Sequence, residues 1–457
     1  KLRILANLTK PGWSLSPSTL PGGMHYAWAI VAILAVVQIV DSSISFAAGV
    51  MVPILNDSEG PFGWSVGIIG VAMAGFFLTG AIYAPISGWL GDRYGPRRLM
   101  VACAILFAGS CFFLGSISNI WHFILAFGVM LSFTTSIAIV TLMAAISPWF
   151  RTRLGLGSGL LWAAGGVGTA LVPILLGYLL VNVGWQYTFW IIGGGGGGIV
   201  LLLAVFFRSY PADMGLKPYG ALDTDPPPVV IDEHVAKLRA KVFNKHIRRT
   251  TAFWNLPVIH ALGCAGHGIV LLYVVPIAVD RGIDIVSAGI IISIISLASI
   301  ISRLGTPILA DLYGPKLVMF VCLLGQGLPV LMLFWAQDLW FFYLFAAVFG
   351  LAFGGEWTGY IVINRKYYGE GPIANCYGWQ MSGAFLGHAI TSVLAGLVIY
   401  VTGSFFGSLV LSIGFSVAAA LLVLTLQSTS QMLIPHWEES LPTEARSTTI
   451  FAASRAD

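Results

Sequence analysis

The chain has 457 residues, 57% of them hydrophobic and 9% charged, with a mean hydropathy of +0.88. A soluble domain carries about 25% charged residues, and a disordered chain has few large apolar ones, so neither class fits. The net charge of +4 lacks the basic excess that a nucleic-acid partner requires, and none is expected.

Taken in order, residues 1–25 form a polar tail in which Lys1, Arg3 and Lys10 precede no apolar core, so it does not read as a secretory signal. Twelve mostly apolar runs follow, each near the ~20 residues that a membrane helix needs. They cover roughly 26–50, 66–90, 99–117, 121–148, 154–182 and 187–207, then 252–278, 286–310, 317–336, 340–364, 374–401 and 405–427. The expected fold is an all-α membrane protein of two six-helix pseudo-repeats, 26–207 and 252–427. Between them lies a central segment, 208–251, and a second polar tail, 428–457, closes the chain. The central segment carries Pro226, Pro227 and Pro228, which break regular structure. In residues 233–249 that follow, Val235, Leu238, Val242 and Phe243 recur at helical spacing among basic residues. That stretch reads as a basic amphipathic helix on the inner leaflet or as a solvated linker. A six-glycine run, Gly193 to Gly198, is expected to interrupt the sixth span as a packing or hinge element.

With the N-terminus placed in the cytoplasm, 21 of the 23 Lys and Arg fall on one side. Arg281 lies outside and Arg303 within a span. The positive-inside rule therefore predicts cytoplasmic termini in a plasma or inner membrane. The cysteines Cys103, Cys111, Cys264, Cys322 and Cys376 lie in or beside apolar segments with no C-x-x-C pair, so buried thiols are expected. No cofactor and no metal site is predicted. No loop offers a nucleophile–base constellation or a phosphate-binding loop, so an enzyme is not expected.

The halves echo each other. Leu90-Gly91-Asp92-Arg93-Tyr94-Gly95-Pro96-Arg97 after the second span matches Leu309-Ala310-Asp311-Leu312-Tyr313-Gly314-Pro315-Lys316 after the eighth, at a constant offset of 219. Gly allows a tight turn and Pro opens the next helix. Asp at the helix end can pair with a basic residue or a helix N-terminus. Such clusters can lock one face shut and release it when the halves rock, which makes Gly88, Asp92, Arg93, Gly95, Arg97, Arg98, Asp311, Gly314 and Lys316 the candidate gating residues.

Gly88-x-Leu90-Gly91-Asp92-Arg93-x-Gly95-x-Arg97-Arg98 resembles the signature loop of the major facilitator superfamily, and with the twelve spans the resemblance covers nearly the whole chain. Several features are similar to its monocarboxylate and oxalate:formate porter branch. They are Trp64-Ser65, Ser147-Pro148-Trp149-Phe150-Arg151 leading into Arg153-x-Gly155-x-Gly157-x-Gly159, Tyr210-Pro211-x-x-Met214-Gly215-Leu216-x-Pro218, and Arg303 ahead of its Asp loop.

Of the acids, Asp41 and Glu356 alone fall inside predicted spans. Arg303 and Glu356 stand eight and nine residues from their helix-end charges, about 12–14 Å deep in a ~30 Å core. A charge at the helix centre costs ~2.5–3.5 kcal/mol on insertion scales, so such residues mark a working cavity, here expected to be shared by all three. A structural ion pair between Arg303 and one acid is the competing reading. Gln38, Asp41 and Ser45 share one helix face, Ser296, Ser299 and Arg303 another, and His260, Cys264 and His267 a third. His388 is a similar candidate. Serines in spans commonly bond their own helix, and the histidines read as packed or cavity-facing.

The resemblance implies that Arg303 binds a substrate carboxylate, whose geometry its planar fork matches. Animal members of the branch carry Asp where this chain has Ser299, and a lysine late in the first span where Gly49 and Val50 stand. Oxalate-type porters carry a lysine in the eleventh span, which has none here. A monoanion is therefore expected. Burial favours a neutral carboxyl, so Asp41 and Glu356 are the expected proton-coupling pair. Ionised, they leave a net charge of −1 with Arg303 and repel an anion; protonated, they leave +1. The candidate substrate-binding set is Arg303, Asp41, Glu356, Ser299, Gln38 and His267, serving a carboxylate and protons within a lipid bilayer. Alternatives are an exporter of cationic or neutral compounds and a non-transporting sensor or assembly protein. Oligomeric state stays open.

Overall fold

The structure is a computed structural model and describes residues 24–45, 48–225 and 230–446. Both chain ends, and Pro226 to Pro228, lie outside the described residues. Helices dominate because hydrocarbon offers no partner for backbone N–H and C=O groups, and a helix satisfies them internally. They are α1 (Tyr26–Ser45), α2 (Ala48–Asn56), α3 (Val66–Tyr94), α4 (Pro96–Gly115), α5 (Ile120–Trp149), α6 (Leu154–Phe206), α7 (Glu233–Ile247), α8 (Thr251–Asp280), α9 (Ile285–Tyr313), α10 (Pro315–Phe334), α11 (Leu339–Tyr368), α12 (Ala374–Thr402) and α13 (Phe406–Leu424). Polar caps start several of them. Ser65 accepts from Ile68 N, Thr250 from Phe253 N, and Asp284 from Val286 N and Ser287 N.

Among the described residues, ten helices are long and apolar enough to cross a membrane. One of them, α6, breaks at Gly184, whose φ of 79° and ψ of 174° are not helical. Its two arms occupy the predicted fifth and sixth spans. The apolar stretch Tyr26–Ser42 of α1 stands apart from the ten. The expectation of twelve spans counts both arms of α6, and α1, separately.

Of the two readings of the six-glycine run, the structure agrees with packing and not with a hinge. Residues 193–198 stay helical, and the bend comes earlier, at Gly184. A Cβ on Gly193 would lie 2.5 Å from Cys111 Cβ, and one on Gly197 3.0 Å from the Ala104 carbonyl oxygen. The glycines bring α6 onto α4, and that packing supports a helix that glycine alone would weaken.

Before the central segment, α4 and α1 pack on α6; after it, α9 packs on α11 and α8 on α12; these two groups are called bundles below. The bundles meet along two seams, α3 against α12 and the first arm of α6 against α9. Backbones touch there. A Cβ on Gly88 would lie 2.6 Å from the Ala374 carbonyl oxygen, and one on Gly159 2.5 Å from that of Arg303.

The central helix α7 lays its apolar stripe on protein. Arg239, Ala240, Phe243 and Ile247 are buried against protein. Phe243 packs on Tyr368 and Trp437, and Arg239 stands 5.1 Å from the Trp437 ring and pairs with Glu438. The described part of the C-terminal segment is correspondingly not a solvated tail. Ile434, Trp437, Leu441 and Ala445 are buried, because the apolar stripe of α7 offers them a surface.

Candidate functional site

Three layers of polar chemistry stand along the seams. The first is at the end that carries most Arg and Lys, here called the basic end. Asp92 closes α3 and accepts from the backbone N–H of Ala374 (3.0 Å) and Asn375 (3.3 Å), the first turn of α12 in the other bundle. Asn244 of α7 adds a third donor at 2.7 Å. A carboxylate at a helix N-terminus meets both unpaired donors and the positive dipole end. Gly88 permits this approach, since any side chain there would strike Ala374. Arg365 reaches across to Ser147 Oγ and the Phe150 carbonyl, 3.5 Å each, and Arg248 donates to Asn375 Oδ1 at 3.1 Å.

The remaining gating candidates serve their own bundles. Gly95 (φ 77°) and Gly314 (φ 87°) each join two helices with no loop, a conformation that favours glycine. Arg97 Nε donates to the Ala204 carbonyl at 3.1 Å, and its counterpart Lys316 to the Leu424 carbonyl at 2.9 Å. Each satisfies carbonyls at the end of the last helix of its bundle. Arg98 pairs with Glu233 at 3.1 Å, and hydrogen bonds from Arg98 and Lys237 hold that carboxyl down at about 2. Arg93 lies over the Trp89 and Tyr94 rings. The side chain of Asp311 lies outside the described residues.

Midway along the seam stands Arg303 of α9. Gly155 and Gly159 of α6 fit against Pro307 and the Arg303 backbone, which sets the helix spacing. The guanidinium crosses the seam, and one terminal nitrogen donates to the Trp162 carbonyl at 2.6 Å. Its Nε is buried without a partner, and Phe353 lies 5.8 Å from its carbon. Trp162 faces Trp357 of the other bundle at 5.2 Å. Neither Asp41 nor Glu356 forms an ion pair with Arg303 among the described residues. Ser299, one turn away, donates to its own helix at Ser296 (2.7 Å) and packs its backbone on Gly354.

The third layer is inside the second bundle. Glu356 of α11 is fully buried, and its Oε2 lies 3.2 Å from His267 Nδ1 of α8. Gly263 makes room for the carboxylate, which would occupy the place of any Cβ there. Glu356 Oε1 and His267 Nε2 make no hydrogen bond of normal geometry, but the Gln326 amide lies against both residues and the Tyr360 hydroxyl against Glu356. His260 donates from Nδ1 to the Gln380 carbonyl at 3.0 Å and stacks on Tyr360. His388 of α12 stands 5.4 Å from His267, ring to ring, and 5.2 Å from Phe77 across the seam. One ligand atom from each of Cys264, His267 and His388 lies within 4.8 Å of the others.

Asp41 belongs to a different group, in the first bundle. Its carboxylate meets the Thr135 hydroxyl of α5, and Oδ1 is buried without a partner. Gln38 lies against Gly165 of α6 and reaches Ser42 at 3.5 Å. The side chain of Ser45 lies outside the described residues. The structure thus joins Glu356 with His267, ties Arg303 to Trp162, and leaves Asp41 with Thr135. Sequence reasoning passed over the Trp162 carbonyl, Asn244 and the start of α12. Two of these act through backbone groups and leave no side-chain signal.

The sequence profile of the Major Facilitator Superfamily matches residues 31–312 and 272–452. The uncharacterized MFS-type transporter YhjX of Escherichia coli is 26% identical over 68% of the chain and 73% of its own length. YcxA of Bacillus subtilis, described in the same terms, is 27% identical over 74% and 79%. Human monocarboxylate transporter 11 is 25% identical over 72% and 68%. A solved structure of the proton:xylose symporter XylE superposes with a TM-score of 0.73 at 14% identity, covering 89% of this chain and 98% of that one, a likeness of fold alone.

Proposed function

The chain belongs to the Major Facilitator Superfamily of membrane transporters, and from that premise we propose that it carries a small organic monoanion, a monocarboxylate, together with a proton by alternating access. The observation that supports this best is Arg303, a cation within an apolar helix that donates to one carbonyl across the seam and forms no ion pair with an acid among the described residues. The likeness to human monocarboxylate transporter 11 supports the same substrate class.

A carboxylate offers two anionic acceptors to the guanidinium fork, a stronger partner than the neutral Trp162 carbonyl. Substrate binding therefore competes with a tie that holds α6 to α9. Releasing that tie frees the seam to rearrange, and the bundles rock about the site. Glu356 and His267 hold the coupling proton close by, and Asp41 contributes from the other bundle. With both acids neutral, Arg303 presents +1 to the anion; with both ionised, the set repels it.

The ties across the seams run from the basic end to about mid-helix: Asp92 to Ala374, Arg365 to Phe150, Ser382 Oγ to the Ala81 carbonyl (2.6 Å) and Arg303 to Trp162. If the basic end is cytoplasmic, as the positive-inside rule predicts, this arrangement is closed to the cytoplasm. Proteoliposomes test the reading. Labelled lactate, acetate or formate is expected to accumulate when the outside is made acidic and to stop when an ionophore removes the gradient. Gradient-independent flux of neutral or cationic solutes, with none of carboxylates, contradicts it.

A further inference from the structure

We propose that Cys264, His267 and His388 bind one thiophilic d10 metal ion, Zn(II) or Cu(I), inside the second bundle. One ligand atom from each already lies within 4.8 Å of the others. A metal bound at 2.0–2.3 Å to nitrogen and sulfur would draw them to about 3.5–4 Å apart, a shift of side chains rather than of helices.

The backbone is arranged for this meeting. Cys264 and His267 are one turn apart on α8, and His388 comes from α12. The two helices lie close because Gly383 and Gly387 face Pro257, Ala261 and Cys264; a Cβ on Gly387 would lie 2.8 Å from Cys264 Cβ. A Cβ on Gly268 would likewise lie 3.3 Å from His388 Nδ1. Small residues at these positions let the three ligands converge.

His267 is already oriented as a metal-bound histidine is. Its Nδ1 is engaged by the Glu356 carboxylate at 3.2 Å, buried Nε2 makes no hydrogen bond of normal geometry, and the Gln326 amide lies beside the residue. A carboxylate on the far side of an imidazole fixes the tautomer and strengthens the nitrogen that faces the ion. A buried lone pair with no partner is costly, and an ion satisfies it. Cys264 is a buried free thiol, whereas His388 is part-buried and faces Phe77 at the seam.

One thiolate and two imidazoles select soft or borderline ions over Mg²⁺ or Ca²⁺, which take oxygen ligands. Binding replaces the thiol proton with the metal, and that proton leaves to water. For Zn(II), the Cys264 thiolate and an ionised Glu356 balance the two positive charges. For Cu(I), the thiolate alone balances the ion.

The test uses the purified full chain in detergent. Zn(II) is titrated against a chromophoric chelator, and Cu(I), under reducing conditions, against a Cu(I)-specific one. One ion per chain is expected, and whichever ion competes identifies the metal. Cys264→Ser and His388→Ala are each expected to weaken binding at least tenfold, and Glu356→Gln ten- to hundredfold, while Cys322→Ser leaves it unchanged. Alkylation mapped by mass spectrometry on the unaltered chain adds a readout that needs no variant. Bound metal is expected to slow modification of Cys264 and not of Cys322. Absence of stoichiometric binding by either ion, or equal alkylation of Cys264 with and without metal, overturns the proposal.

Discussion

The two bundles share their ends but not their interiors. Both turn on a positive-φ glycine, Gly95 and Gly314, and both cap their last helix with the matched basic residue, Arg97 and Lys316. Inside, the first bundle holds Asp41 with Thr135, while the second holds Arg303, Glu356, His260, His267 and His388. The shared parts answer a need that any bundle has, to turn tightly and to satisfy helix-end carbonyls. The unshared parts are costly in hydrocarbon and serve no such need. Under the proposed function, the transport chemistry lies mainly in the second bundle, with the first as its partner surface.

Arg303→Ala is the strongest way to break that contrast. Losing a charge-assisted hydrogen bond costs about 1.5–3 kcal/mol, so carboxylate uptake is expected to fall about ten- to hundredfold, measured as initial rate in proteoliposomes. Arg303→Lys is expected to recover only part of it, because an ammonium lacks the fork. Glu356→Gln comes next. It removes the ionisable member of the His267 pair, so uptake is expected to lose most of its dependence on external pH, read from rates between pH 5.5 and 8. Asp92→Asn removes the charge at the start of α12, worth about 0.3–1 kcal/mol, and replaces one of the two accepting oxygens with an NH2 that cannot accept. Hydrogen exchange at Ala374 and Asn375 is expected to quicken by a few-fold. Asp41→Asn is the smallest, with less than half the loss in pH response produced by Glu356→Gln. If Asp41→Asn proves the more severe, the division of labour between the bundles is reversed.

Much of this was legible in the sequence for a simple reason: a charge within an apolar run is conspicuous. Arg303, Glu356 and Asp41 stand out in that way, and the repeated Asp-x-Tyr-Gly-Pro pattern marked both turns. Their partners were harder to see. Trp162 acts through its carbonyl and Ala374 through its amide, so neither side chain signals the role. Gly184 sits as a single glycine at the true bend, while the conspicuous run from Gly193 stays helical because α4 packs against it. The apolar stripe of α7 was visible, but which surface it covers depended on Trp437 and Leu441, far along the chain in a segment that reads as polar.

The account rests most on Arg303 as the carboxylate site, and calorimetric binding to the purified protein tests that without flux. Lactate at mildly acidic pH is expected to bind the unaltered chain, while lactamide, which keeps the shape and loses the charge, does not. Arg303→Ala, folded and monodisperse, is expected to bind neither. Lactate binding of equal affinity to Arg303→Ala would contradict the assignment.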